Sequence, residues 1–322
     1  MFSRRRFLLT AGGFSLGAAF SALPLSLATE TTPLEVAYAG SMASLMEGPL
    51  KAAAEPALHL EIRGQAQGSN ALAQLIVGGN IRPDVFISVT PGPMLTVLKA
   101  GKAAMAQPIA RTEMVIAYSP KSRFASALAR AAHSPDTKEP DSADLPAHAN
   151  VVQQPWWKIL ESPGLRFGRT DPGTDPQGRN IIFTLMLAAR HYKQPDLVEK
   201  IIGPVINPQQ IFSEPTVQAR LQSGELDAAS AYKIQPGPFN LPSIALPPEI
   251  NLSGTKPLDL KLTIGGKTYS PEPLIYYAAA LKGGRNQQGA QAFVQWLRSD
   301  EAQNVLRHEN YDPAGDAAPL TA

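Results

Sequence analysis

The chain has 322 residues, of which 44% are hydrophobic and 17% charged, and it contains no cysteine. This length allows a large buried core and, by the usual size of domains, two lobes. The lack of cysteine excludes disulfides, thiolate metal sites and a cysteine nucleophile. The formal net charge is +2, of which Arg4–Arg6 supply three positive charges, so the remaining chain is close to neutral. We therefore expect no nucleic-acid partner.

Residues 1–28 have the pattern of an export signal. Arg4–Arg6 precede an apolar, glycine-rich stretch from about Leu9 to Leu27, which is the charged start and hydrophobic segment of such a leader. The consecutive arginines are similar to the twin-arginine type, which directs export from the cytoplasm. We expect cleavage after Ala28 and a periplasmic or extracytoplasmic mature protein. The alternative is an uncleaved membrane anchor, for which the stretch is weakly hydrophobic.

In the first half of the chain, short apolar runs alternate with helical periodicity. The predicted elements are strands at Leu34–Tyr38, Leu58–Ile62, Val85–Ile87 and Met114–Tyr118, and helices at Ala43–Ala54, Asn70–Val77 and Pro93–Lys99. This rhythm predicts parallel strands covered by helices, with ligands at the carboxyl ends of the strands. The polar segment 134–146 is predicted to be an exposed loop.

A second alternating set follows. Its predicted elements are a helix starting near Trp156, a strand at Leu165–Phe167, helices at Arg179–Tyr192 and Thr216–Gln222, strands at Leu226–Ala229 and Leu274–Leu281, and helices at Gln287–Leu297 and Glu301–Leu306. Two α/β sets predict two lobes, each a mostly parallel sheet flanked by helices. We place lobe 1 at 29–113 plus 275–322 and lobe 2 at 114–274.

Two serine turns, Ala39-Gly40-Ser41 and Gln67-Gly68-Ser69, each join a strand-like run to a helical pattern. A helix N-terminus leaves N–H groups unpaired and carries partial positive charge, so a serine there adds a hydroxyl donor to an anion site. Two such turns in tandem predict one shared anionic ligand. The alternative is that both serines only cap their helices, because serine is a favoured N-cap residue.

Three later positions could donate to the same ligand. The turn at residues 167–179 precedes a long helix and exposes N–H groups near Gln177, and the helix start at Ser213 exposes N–H groups near Val217. Tyr232 ends a strand-like run with a phenol donor. Each also has a purely structural interpretation, as a long connection, an ordinary helix start and a core tyrosine.

The chain resembles the molybdate/tungstate-binding proteins of ABC importers, a branch of the type II periplasmic binding proteins. The segments that carry the resemblance are Ala39–Ser41, Gly68–Ile76, Arg82–Ser88, Arg166–Gly178, Gly224–Asp227 with Tyr232, and Leu246–Leu252. The resemblance implies a two-lobed fold, a molybdate or tungstate oxyanion bound without a cofactor, and an ABC permease as partner. It also implies hydroxyl and backbone donors at Ser41 and Ser69, a phenol donor at Tyr232 and a backbone donor at Val217.

One position departs from the pattern of the archaeal-type tungstate binders. In those proteins an aspartate in an Asp-Pro-x-Gly turn and a glutamate just before the tyrosine reach the metal. Here the aspartate position is Asp175, but the glutamate position is Ala231. We therefore expect a tetrahedral oxyanion held by neutral donors, with Asp175 capping its turn. If Asp175 reaches the metal instead, a five-coordinate form results.

Two other functions compete with this interpretation. A receptor for sulfate, phosphate or an organic acid could use the same architecture. A secreted hydrolase could use Ser41 or Ser69, but neither lies in a Gly-x-Ser-x-Gly elbow, and the five histidines lack metal-ligand spacing. We expect a monomeric binding protein and no enzymatic activity. Molybdate and tungstate are nearly the same size, so the sequence does not separate them.

Overall fold

The computed structural model describes residues 32–136, 154–254 and 258–322, and residues 31–322 belong to one folded unit. The predicted export signal and most of the predicted loop at 134–146 lie outside the described ranges. No helix among the described residues is long and apolar enough to cross a membrane.

Strands and helices alternate along the described chain. The strands are β1 Thr32–Ala39, β2 Leu60–Gln67, β3 Val85–Ser88, β4 Met105–Arg111, β5 Met114–Tyr118, β6 Phe167–Gly168, β7 Ala228–Tyr232, β8 Ser243–Ala245, β9 Leu262–Ile264, β10 Lys267–Tyr269, β11 Ile275–Ala280 and β12 Leu320–Thr321. The helices are α1 Ala43–Met46, α2 Pro49–Leu58, α3 Ser69–Val77, α4 Pro91–Lys99, α5 Ala125–Ala132, α6 Trp156–Leu160, α7 Pro176–His191, α8 Leu197–Ile202, α9 Glu214–Ser223, α10 Gln287–Trp296 and α11 Asp300–His308.

The strands form two mixed sheets and a separate hairpin. The larger sheet has the order β12-β4-β11-β3-β1-β2, and the smaller has the order β6-β7-β5-β8. In the larger sheet β1 pairs in parallel with β2 and β3, whereas β11 is antiparallel to β3 and β4. In the smaller sheet β6 and β7 are parallel, and β5 is antiparallel to its neighbours.

The antiparallel strands correct the expectation of mostly parallel pairing. β4 ends at Arg111 and β5 begins at Met114, so two residues carry the chain from the larger sheet to the smaller one. β5 and β11 are the strands through which the chain enters each sheet from the other. Each runs opposite to its neighbours because it starts at the edge where those neighbours end. The lobe boundaries at 113/114 and 274/275 remain a prediction.

The predicted helix Ala43–Ala54 is two helices in the structure. Gly48 is the N-cap of α2 and Pro49 its first residue, where the missing N–H and fixed φ of proline are tolerated. β4 and the β9–β10 hairpin were not predicted. The hairpin turns at Gly265 and Gly266, with φ of 55° and 79°, a conformation that glycine adopts without steric cost.

The core lies on both faces of the central strands. Successive side chains of a strand point to opposite faces, and in β1 Leu34, Val36 and Tyr38 pack in one hydrophobic cluster, while Ala37 packs in another with Phe86 and Met94. Every residue of β3, β5 and β7 is buried. This leaves the loops at the strand ends as the places where polar groups can meet a ligand.

A cleft with serine turns on one side and carboxyl groups on the other

The two serine turns follow the carboxyl ends of β1 and β2. Ser41 lies in a short 3₁₀ turn after β1, and its Oγ is 2.9 Å from the Tyr276 hydroxyl. Ser69 is the first residue of α3 and is 1% exposed, and its Oγ accepts a hydrogen bond from Val89 N at 3.3 Å. Neither hydroxyl caps its helix. Because Ser69 Oγ accepts, its own proton remains for a second acceptor.

Glycines at both turns bring the larger sheet against the second half of the chain. A Cβ on Gly68 would lie 3.1 Å from the Thr174 carbonyl oxygen and 3.5 Å from Asp175 Cα, and a Cβ on Gly40 would collide with the Glu214 carboxyl. Gly40 and Gly68 line a cleft of about 540 Å³ together with Asp175 and Glu214. Ser41 lines a neighbouring concavity that also contains Gly40 and Glu214, whereas Ser69, Gln177 and Tyr232 line neither of the two. The glycines of the two turns and the carboxyl groups of Asp175 and Glu214 therefore share one cavity.

Asp175 caps α7, as the sequence predicts. Its Oδ1 accepts from Gln177 N at 2.9 Å. Burial raises the pKa of the Asp175 carboxyl, and the Gln177 N–H and the Arg179 charge oppose the increase. The Gln177 backbone N–H is therefore engaged, and its side chain donates to Ser230 O at 3.2 Å and Gln235 Oε1 at 2.8 Å.

Glu214 is a cleft residue that the sequence analysis missed. It is the first residue of α9, and its carboxyl accepts from Gln235 Nε2. Burial raises the pKa of the Glu214 carboxyl well above its ordinary value, and the neighbouring Asp175 raises it further. α9 thus brings to the cleft a carboxyl group that the sequence analysis did not include, and the expectation of an oxyanion held by neutral donors stays a prediction. An acidic residue in a helix's first turn was the available signal.

The expected backbone donor at Val217 also needs correction. α9 begins two residues before the predicted start at Thr216, so Val217 lies in its second turn, and its N–H donates to Ser213 O at 3.0 Å. The Val217 side chain is buried with Leu221 and Leu226. The N–H groups without an intrahelical acceptor belong to the residues before Val217.

Tyr232 ends β7 and is 1% exposed. Its hydroxyl accepts from Asn180 Nδ2 at 3.0 Å, which leaves the phenol proton for another acceptor. Burial raises the pKa of Tyr232 well above its ordinary value, and the charges of Asp175 and Glu214 act in the same direction. Burial likewise raises the pKa of Tyr276, the partner of Ser41. Both phenols therefore remain protonated donors at neutral pH.

The described residues contain no group of three or more His, Cys, Asp or Glu side chains that could hold a metal ion. Arg179 is the cation nearest to Asp175 in α7; its Nη1 donates to Pro172 O at 2.9 Å, and its guanidinium lies 4.4 Å from the centre of the Tyr269 ring. The polar groups that line the cleft are thus hydroxyl, amide and carboxyl groups.

Comparison with known proteins identifies the family of the chain. Residues 34–311 match the family model of bacterial extracellular solute-binding proteins. The chain belongs to that family. It is 27% identical over 332 residues to the molybdate/tungstate-binding protein WtpA of Thermococcus kodakarensis, covering 92% of this chain and 88% of the relative.

Solved structures share the fold at low sequence identity. The periplasmic molybdate-binding protein of Azotobacter vinelandii aligns with a TM-score of 0.56 at 15% identity, over 86% of this chain and 98% of that one. The periplasmic binding protein AfuA of Actinobacillus pleuropneumoniae, with fructose-6-phosphate bound, aligns with a TM-score of 0.58 at 14% identity, over 91% and 88%. The α/β fold of type II periplasmic binding proteins is confirmed. Solute-binding proteins of ABC importers work outside the cytoplasm.

Proposed function

We propose that this chain captures molybdate or tungstate in the cleft between its two sheets and delivers the oxyanion to an ABC permease. The observation that carries the proposal is the close approach of the two serine turns to the second half of the chain, because Gly40 and Gly68 of those turns line one cavity with Asp175 and Glu214. The relatives named for molybdate and tungstate support the choice of anion. Ser41, Ser69, Tyr232 and the Gln177 turn are the proposed ligand-binding positions.

A dianion that leaves water needs its hydration replaced. Hydrogen bonds to charged groups contribute about 1.5–3 kcal/mol each, and roughly four to seven of them, less the costs of association, supply the roughly 8–12 kcal/mol of micromolar to nanomolar binding. Hydroxyl donors at Ser41, Ser69 and Tyr232 can provide part of this set. A cavity of fixed radius suits Mo–O or W–O distances better than the smaller sulfate.

The two carboxyl groups set the protonation state of the cleft. A carboxylate beside a dianion repels it, whereas a protonated carboxyl donates a hydrogen bond. The raised pKa values of Asp175 and Glu214 favour the protonated form. The resemblance to archaeal tungstate binders offers a second role, in which carboxylate oxygens join the metal and increase its coordination number.

The proposal extends to export and partners. The twin-arginine pattern of residues 1–28 would carry the protein across the cytoplasmic membrane. A monomer that closes around its ligand would present the closed form to the permease, because the ligand favours the state it binds more tightly. We propose no enzymatic activity. Among the described residues, the hydrogen-bond partners of the Ser41 and Ser69 hydroxyls are a phenol and a backbone N–H, neither of which is a general base.

The test is titration calorimetry with molybdate, tungstate, sulfate and phosphate. The chain is produced without residues 1–28, which lie outside the folded unit of residues 31–322. We expect tight binding of molybdate or tungstate and an increase in melting temperature with that ligand. The S41A/S69A double variant should melt cooperatively and lose the binding. Selective binding of sulfate or phosphate would contradict the proposal.

A further inference from the structure

A cluster of cations lies on the larger sheet away from the serine turns. Two adjoining concavities, of about 460 and 210 Å³, share Arg82 and Gly283 in their walls. Their cationic lining residues are Arg63, Arg82, Lys102, Lys282 and Arg285, and we call this set the basic face. Lys282 N donates to Lys102 O at 2.7 Å, which joins the two loops that carry the cations.

Most of these charges are not neutralised within the described residues. Arg63 is the exception, because it pairs with Glu61 at 3.1 Å and Glu35 at 3.7 Å. Among the described residues, the side chains of the other four make no ion pair or hydrogen bond. Without its leader the chain is close to neutral. The positive charges of the basic face are therefore concentrated on one side of a protein with little net charge.

The loop that presents Arg285 is held in place. The buried Asp84 carboxyl accepts from Glu35 N at 2.9 Å and from Asn286 N at 2.7 Å. Asn286 Nδ2 in turn donates to Pro33 O at 3.1 Å. Pro33 at the start of β1 therefore lies close to the loop that carries Arg285.

The basic face also lies at the opposite ends of the strands from the cleft. Arg82 precedes β3 and Lys282 follows β11, whereas the serine turns follow the carboxyl ends of β1 and β2. A surface that occupied the basic face would leave the cleft open to ligand.

We propose that the basic face rests on a bilayer of anionic phospholipid. Several exposed cations spread over one face suit an extended anionic surface, to which each Lys or Arg adds attraction, better than a single small anion. The two concavities have room for phosphate headgroups of the lipid. Contact with the bilayer would keep the receptor near a membrane permease. This inference does not depend on which solute the cleft binds.

Vesicle flotation tests the proposal with the chain lacking residues 1–28, so that the apolar segment cannot itself insert. Vesicles contain phosphatidylcholine alone or mixed with phosphatidylglycerol. We expect binding only to the mixed vesicles, and we expect it to weaken with added salt. The R82E/K282E/R285E variant should partition at least about tenfold less. A variant with the same change in charge at exposed sites elsewhere, K121E/K200E/R298E, should bind like the unchanged chain.

Three outcomes would overturn the proposal. Equal binding to neutral vesicles, or none to either kind, would exclude an anionic lipid surface. An equal loss in the control variant would show an effect of net charge alone. Competition by soluble glycerol phosphate at the same phosphate concentration would indicate a discrete phosphate site. If the reversal variant melts early, R82Q/K282Q/R285Q replaces it, and it must also lose binding for the proposal to stand.

Discussion

The two sides of the cleft differ in how their polar groups are held. On the larger-sheet side, Ser41 lies in a short turn and Ser69 begins α3, and among the described residues each hydroxyl has one hydrogen-bond partner. On the other side, Asp175 caps α7 while Gln177, Gln235 and Glu214 form a continuous network. The first side is made by local turn chemistry and presents neutral donors. The second is made by contacts between distant segments and brings carboxyl groups, so proton-dependent behaviour should originate there.

The largest effect is expected at Gly178, on the side of the cleft that carries Asp175 and Glu214, which we call the networked side. A Cβ on Gly178 would lie 2.7 Å from the Asp171 carbonyl carbon and 2.7 Å from Pro172 N. Both are backbone atoms, so they cannot move aside as a flexible side chain could. Gly178→Ala should lower the free energy of unfolding by about 1–3 kcal/mol or more and weaken anion binding by shifting the start of α7. Chemical denaturation and calorimetry measure both.

Gly173→Ala is the matched control in the same turn, because its Cβ would meet only the Asp171 side chain, at 3.2 Å. We expect nearly unchanged stability for Gly173→Ala. Equal losses in both variants would mean that the close backbone approach at Gly178 does not hold the turn.

The serine side should respond mainly in affinity. Ser41→Ala and Ser69→Ala should each weaken molybdate binding by about 1.5–3 kcal/mol, the contribution of a hydrogen bond to a charged group. Ser69→Ala should also reduce stability, because Val89 N loses its acceptor in a buried site. Ser41→Ala should also reduce stability, because the buried Tyr276 hydroxyl loses its hydrogen-bond partner. Calorimetry showing unchanged affinity in both variants would remove the serine turns from the site.

Glu214→Gln tests whether pH dependence comes from the networked side. A raised pKa in the folded state means that the fold binds the proton more tightly, so its stability is full below the ordinary carboxyl pKa and is lost as pH rises through the raised value. Melting temperature without ligand should therefore fall with rising pH, and less steeply in Glu214→Gln. Anion affinity should follow the same trend.

The exposed Glu199→Gln is the control for that experiment and should leave the pH profile unchanged. Parallel profiles for the unchanged protein and Glu214→Gln would assign the dependence to another group, of which Asp175 is the next candidate.

The smallest effect is expected at the ion pair between Lys233 and Asp312. These residues directly follow the buried Tyr232 and Tyr311. Lys233 Nζ lies 2.8 Å from Asp312 Oδ1, but both side chains are partly exposed. Lys233→Gln should cost about 1 kcal/mol or less in stability, with a difference that shrinks in high salt. A tenfold loss of anion affinity would instead make this pair part of the site.

Much of the fold can be predicted from local pattern. β5 lies at the predicted residues, and β1, α3, β3 and α7 lie within a few residues of theirs, because burial of alternate or 3.6-spaced side chains is visible in sequence. The antiparallel placement of β5 and β11 was not predicted. It depends on which sheet each strand enters, and adjacent residues do not encode that choice.

The same division holds for the candidate site. The sequence by itself determined the serine turns, the cap at Asp175 and the phenol at the end of β7, because turn and cap chemistry involve residues close along the chain. Only the tertiary structure decided that the carboxyl group of Glu214, rather than the backbone of Val217, faces Gly40. α9 begins at Glu214, two residues before the predicted start at Thr216, and this places Glu214 rather than Val217 in its first turn. Ser213 and Pro215 mark the start of α9 locally, but which of its first residues meets Gly40 depends on packing between segments that are far apart in the sequence.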